Sequence, residues 1–120
     1  MSLTALHATL ASVTAAAGFA LVASGGWAAW RHDASSIRLV LLVRQVALIA
    51  AVLAVVAGGV LLAQGHRPHI SLHYLYAFFA LAAVPLAISL AARQPRRGAW
   101  YHLGAGVLLL LMCFRLATTG

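Results

Sequence analysis

The stretch HRPHISLHYLYAFFALAAVPLAISLAA, His66–Ala92, changes character partway along, and that change decides the fold. Its first eight residues carry three histidines, an arginine and a proline. From about Ile70 to Ala92 it is almost entirely apolar, over the ~20 residues a helix needs to cross the hydrocarbon core of a bilayer. His69 and His73 stand four residues apart, so a helix starting near His69 or Ile70 puts them on one face. An imidazole carried into a membrane helix is costly to keep there, which marks this segment as a place to look for function.

Three further apolar runs are also about long enough to cross. They cover roughly Leu3–Trp30, Ile37–Gln64 and Ala99–Ala117. The chain has 120 residues, of which 64% are hydrophobic and 8% charged, against about 25% charged in soluble domains. Lipid must therefore solvate much of its surface. The expected fold is an all-α membrane protein, a single four-transmembrane-helix bundle filling residues 1–120. The start MSLTALHATL has no basic region ahead of its apolar run, so it reads as the first span rather than a cleaved signal peptide.

Charge is one-sided: eight arginines, no lysine, and Asp33 as the one acid. On a soluble chain a balance of +7 would suggest nucleic acid. Here the arginines sit mostly between the apolar runs, where membrane topology accounts for them and no nucleic acid is implied. Arg31, Arg38, Arg93, Arg96 and Arg97 fall on one side, Arg67 and Arg115 on the other. The positive-inside rule puts the larger group in the cytoplasm, giving an N-out/C-out protein of a bacterial inner membrane. Trp27 and Trp30 fit an interfacial anchor, and Ser35 or Ser36 a cap for the second helix. Arg44 lies inside the second span. It either snorkels to the interface or pairs with an anion that the chain itself barely supplies.

With one acid, catalysis by a carboxylate pair is excluded, and no serine–histidine–acid set or phosphate-binding glycine loop is present. The lone Cys113 supports neither a disulfide framework nor a thiolate cluster. An electron carrier or complex subunit is expected rather than a stand-alone enzyme. His7 and His73 open the first and third spans, which run the same way, so they should lie at matching depth. Each heads a stripe of small residues: Ala11, Thr14, Gly18 and Gly25 after His7, and Ala77, Ala80, Val84 and Ala87 after His73. Such stripes ordinarily allow close helix approach. Two imidazoles at one depth above little bulk also suit the axial ligation of a b-type haem, near the outer face between helices one and three. His69 is the substitute for His73. Arg115 and Arg67 are the expected partners of the haem propionates. Tyr76 lines the edge of that pocket or stands in the aromatic belt. His32 and His66 read as loop residues, and His102 as a group hydrogen-bonding at the interface.

The four spans, the helix-borne His7 and His73, and the segment LHYLYA at Leu72–Ala77 together resemble the cytochrome b561-like superfamily of four-helix membrane b-type cytochromes. That resemblance implies haem b and electron exchange with a quinone or a partner redox protein. The chain departs from the two-haem pattern, since its second helix has no histidine, so one haem is expected. Two other classes compete. The chain reads also as an accessory subunit of a larger respiratory or photosynthetic membrane complex, or as a homo-oligomer. His66, His69 and His73 also have the spacing of an outward-facing copper or zinc clip.

Overall fold

The computed structural model describes all 120 residues. Four long helices follow one another: α1 (Leu3–Arg31), α2 (Ala34–Ala63), α3 (Leu72–Arg93) and α4 (Gly98–Thr119), with a 3-10 turn at Pro95–Arg97 before the last. There is no strand. All four helices are long and apolar enough to cross a membrane, and the molecule's long axis of 48 Å matches a bilayer with its headgroups, about 40–45 Å. This is a multi-pass membrane protein with an all-α, four-helix architecture. Both termini and the α2–α3 loop lie at one end, called here the terminal end. The other two loops, with five of the arginines on or beside them, form the arginine-rich end.

Local chemistry sets the helix ends. Ser2 caps α1, its hydroxyl accepting the Ala5 N–H at 3.1 Å. The helix stops at His32, which adopts a left-handed φ of 54° and returns its N–H to the Ala28 carbonyl. The next helix starts earlier than the serines would have it, because Asp33 is the cap. Its carboxylate accepts the Ser36 N–H at 2.8 Å, the Ser35 hydroxyl at 3.0 Å and Arg31 Nε–H at 3.2 Å. The Ser36 amide first, then the hydroxyls and Arg31, hold the Asp33 carboxyl well below the usual carboxylate range. The only acid in the chain is thus fully engaged in a loop.

The start of α3 also differs from expectation. Gly65 turns the chain at φ 89°, Pro68 biases its predecessor toward extended backbone, and the first turn forms only when the His73 and Tyr74 amides reach Ile70 and Ser71. The helix begins at Leu72, so His69 lies outside it and the shared His69–His73 face does not exist. From there α3 runs unbroken through Pro85.

Helix α1 packs along both α2 and α4, and α3 packs along α4, while the α2–α3 seam is the lightest of the four. Helices α1 and α3 therefore stand on a diagonal with almost no contact, rather than side by side, and α2 and α4 take the other diagonal. Large side chains such as Phe19, Leu42, Phe78 and Phe114 face outward, whereas eleven of the sixteen buried hydrophobic residues are alanine. Lipid tails are as apolar as leucine, so association in the membrane depends on close backbone contact rather than burial from water. The α1–α4 seam shows this most plainly. A Cβ added at Gly106 would lie 2.8 Å from the Gly18 carbonyl oxygen, and one at Gly25 would lie 2.9 Å from the Leu103 nitrogen. The small-residue stripes of α1 and α3 are consumed here: Thr14, Gly18, Gly25, Ala80, Val84 and Ala87 are all buried. At the arginine-rich end, Trp27 and Trp30 meet edge to face at 5.9 Å, with Arg31 over the Trp27 ring at 5.4 Å.

The seam makes a sharp prediction. Gly106→Ala forces backbone apart and should destabilise the bundle by about 1–3 kcal/mol, the usual cost of overpacking. Gly104→Ala, where nothing lies within 4 Å, should not lower stability. Denaturant titrations of both variants in the same detergent, followed by helical circular dichroism, measure the difference.

Candidate functional site

His7 sits one turn inside α1 and His73 in the first turn of α3, both half-buried at the terminal end. Neither imidazole is loose. His7 Nδ1 lies 2.9 Å from the carbonyl oxygen of Ala54 on α2. A carbonyl only accepts, so Nδ1 carries the proton and donates it. His73 Nδ1 lies 3.3 Å from Thr119 Oγ1 on α4. That hydroxyl already gives its proton to the Arg115 carbonyl at 2.8 Å, so again Nδ1–H is the donor. With Nδ1 carrying the proton, Nε2 is the position of the lone pair in the neutral form of each ring, and it has no partner inside the chain. This is the arrangement by which proteins prepare a metal-binding imidazole: one nitrogen anchored by hydrogen bond, the other free to ligate.

Each ring also rests where a glycine gives it room. A Cβ at Gly58 would come within 3.0 Å of His7 Cε1, and one at Gly120 within 3.1 Å of His73 Cε1. Gly58 therefore serves His7, while Gly59 beside it has nothing within 4 Å. The two histidines stand on diagonal helices, and each is held by the neighbour next round the bundle, α2 for His7 and α4 for His73. The sequence expectation put them at matching depth on either side of a planar group between the first and third helices. Helices α1 and α3 stand on the diagonal of the bundle, with both histidines at the same end.

The other residues named from sequence divide clearly. Arg115 and Tyr76 are together: Arg115 Nη2 donates to the Tyr76 hydroxyl at 3.1 Å and its guanidinium lies 5.3 Å from the Tyr76 ring centre. Tyr76 is thereby tied to the same α3–α4 face as His73. Arg67 and His69 project from the exposed α2–α3 loop, as does His66. No group of three or more His, Cys, Asp or Glu side chains gathers at metal-binding range. The reason is local: His73 enters α3 and turns to Thr119, whereas His66 and His69 stay in the loop.

The arginine-rich end holds a pair that the sequence reading separated. His102, in the first turns of α4, is 3% exposed, with Nδ1 2.7 Å from the Gly98 carbonyl one turn earlier. Its Nε2 faces Arg44 Nη1 at 3.4 Å. Arg44 thus crosses the bundle from α2 to the diagonal helix α4 instead of snorkelling outward. Nothing in the spacing joins residues 44 and 102. The carbonyl four residues before His102 was the one legible half. Ala54, Gly58, Thr119 and Gly120 were also missed, because a helix backbone or a terminal threonine carries no chemical signature until its neighbour is known.

No protein-family model, curated protein or solved structure matches this chain. The site's own geometry therefore carries the reading.

The anchored tautomer is directly measurable. In protein labelled with 15N-histidine, His7 and His73 should both show the Nδ1–H, Nε2-lone-pair pattern. Thr119→Val should abolish it at His73 and leave His7 unchanged. An Nε2–H pattern at either ring in the wild type contradicts the assignment.

Proposed function

We propose that this chain is an integral membrane electron-transfer protein that holds one b-type haem at its terminal end, with His7 and His73 as the axial ligands. The observation that carries the reading is the pair of Nδ1-anchored imidazoles, each with a free Nε2 and each seated against a glycine. Neither lone pair has a partner within the chain, which leaves both available to a ligand. The residues fit the group: two neutral imidazoles are the ligand set of low-spin haem iron, and the lightly packed α2–α3 seam is the side most able to admit a planar ring.

Haem supplies a reversible one-electron couple, which no side chain of this protein provides. The chain's own residues do the positioning. Ala54 and Thr119 fix ring orientation and keep the protons on Nδ1, and such outer partners raise ligand basicity. Arg115, already at this end on α4, has guanidinium N–H groups beyond the one given to Tyr76 and suits a propionate carboxylate. Arg67 approaches the same end from the loop. Under the positive-inside rule this end faces outward from a bacterial inner membrane, with both termini outside. A quinone or a partner redox protein is the expected exchange partner. This reading agrees with the resemblance to b561-like cytochromes while keeping to one haem. An accessory-subunit role gains less support, because the stripes that would have offered a docking face are buried within the bundle.

The test is ligand substitution, read by haem content and by electron paramagnetic resonance of the oxidised protein. His7→Ala and His73→Ala should each eliminate the low-spin bis-imidazole signal while membrane insertion persists. His69→Ala and His102→Ala should keep it. A low-spin signal surviving in either of the first two variants would sink the pairing.

A further inference from the structure

Arg44 is ten residues into α2, about 15 Å along the helix, and its side chain turns into the bundle. Its Nε is buried with no hydrogen-bond partner. Of its five N–H donors, one meets a protein acceptor, His102 Nε2, at 3.4 Å. That acceptor is neutral, because the His102 proton is committed to the Gly98 carbonyl. A guanidinium does not deprotonate in proteins, so the charge stays. Arg44 is half-buried, and its Nε–H is a charged donor shut off from water with no acceptor, which is unfavourable. The chain has no counter-ion to give: Asp33 is its only acid and is held in the loop by Arg31, Ser35 and Ser36. A counter-ion for this guanidinium can come only from another molecule.

The surroundings define that molecule. Helix α2 spans 30 residues, about 45 Å, roughly 15 Å more than the hydrocarbon core. With that excess shared between the two ends, the Arg44 backbone lies about 7 Å inside the core boundary on the arginine-rich side, a distance the length of its own side chain can span to the headgroup level. An open, largely apolar groove of about 400 Å³ runs between α1 and α2, lined by Ala20, Ala23, Ser24, Trp27, Leu39 and Val43. Val43 immediately precedes Arg44, and Leu39 lies one turn before Val43. An oxyanion at the guanidinium and an acyl chain in the groove are the two halves of one amphiphile. We propose that Arg44, with His102 behind it, binds the phosphate group of a membrane phospholipid whose acyl chain occupies the α1–α2 groove. The guanidinium fork matches a phosphate by two parallel N–H bonds, and Nε–H is one of the two donors such a pair uses. His102 then orients the fork from the other side. The site is at the opposite end from His7 and His73 and stands independently of the haem reading.

The experiment uses the full chain, delipidated in a neutral maltoside detergent, and a short-chain phosphatidylglycerol as probe. Added phospholipid should raise the thermal midpoint in a saturable way, and native mass spectrometry should show one retained phospholipid. Arg44→Gln should weaken that binding about tenfold or more, the loss of a charge-assisted pair. Arg38→Gln, an exposed arginine on the same helix, should leave it intact. Removing the uncompensated charge should not lower the midpoint of the delipidated protein. Should Arg44→Gln nonetheless fail to fold, Arg44→Lys keeps the charge, loses the fork, and should bind the phospholipid more weakly than wild type. Equal phospholipid binding by wild type and either Arg44 variant overturns the proposal. So does an equal response to inorganic phosphate alone, which would make the ligand a soluble anion.

Discussion

A polar group carried into lipid has no water to turn to, and the interior of this protein is arranged around that constraint. Every histidine that enters the bundle is met by a backbone carbonyl or a hydroxyl: His7 by Ala54, His73 by Thr119, His102 by Gly98. Each of these partners takes the Nδ1 proton, so the constraint fixes tautomers as well as positions. Where the free nitrogen then points decides the chemistry. At the terminal end two Nε2 lone pairs are left over. At the arginine-rich end the third is spent on Arg44.

The same solvent explains the packing. Burial from water does not hold these helices together, so shape must. Alanine and glycine line the inside and the large aromatics face the lipid, the reverse of a soluble core. The α1–α4 seam, tightest at Gly18, Gly25 and Gly106, is the rigid spine. The lighter α2–α3 side opposite it is where a planar group has most freedom to enter. Rigidity on one face and looseness on the other suit the proposed site, which draws side chains from α1, α3 and α4 and a backbone carbonyl from α2.

The four spans were legible because long apolar runs separated by arginines admit few other readings. The stripe of small residues after His7 also predicted the buried face of α1, although it serves helix packing. The start of α3 was misplaced because His69 is followed by isoleucine, which looks helical, whereas the turn through Gly65 and Pro68 delays the helix to Leu72. Asp33 was overlooked as a cap because two serines followed it. The diagonal placement of α1 and α3, and the meeting of Arg44 with His102, depend on which helices pack together. No single helix encodes that, so the partner residues emerged only with the fold.

The account stands most directly on one spectrum: dithionite-reduced minus oxidised absorbance of the protein, purified in mild detergent from cells supplied with haem precursor. It predicts a sharp alpha band of a bis-histidine b-type haem, at one haem per chain. A flat difference spectrum from protein that is folded and helical would contradict it, and would return His7 and His73 to a purely structural role.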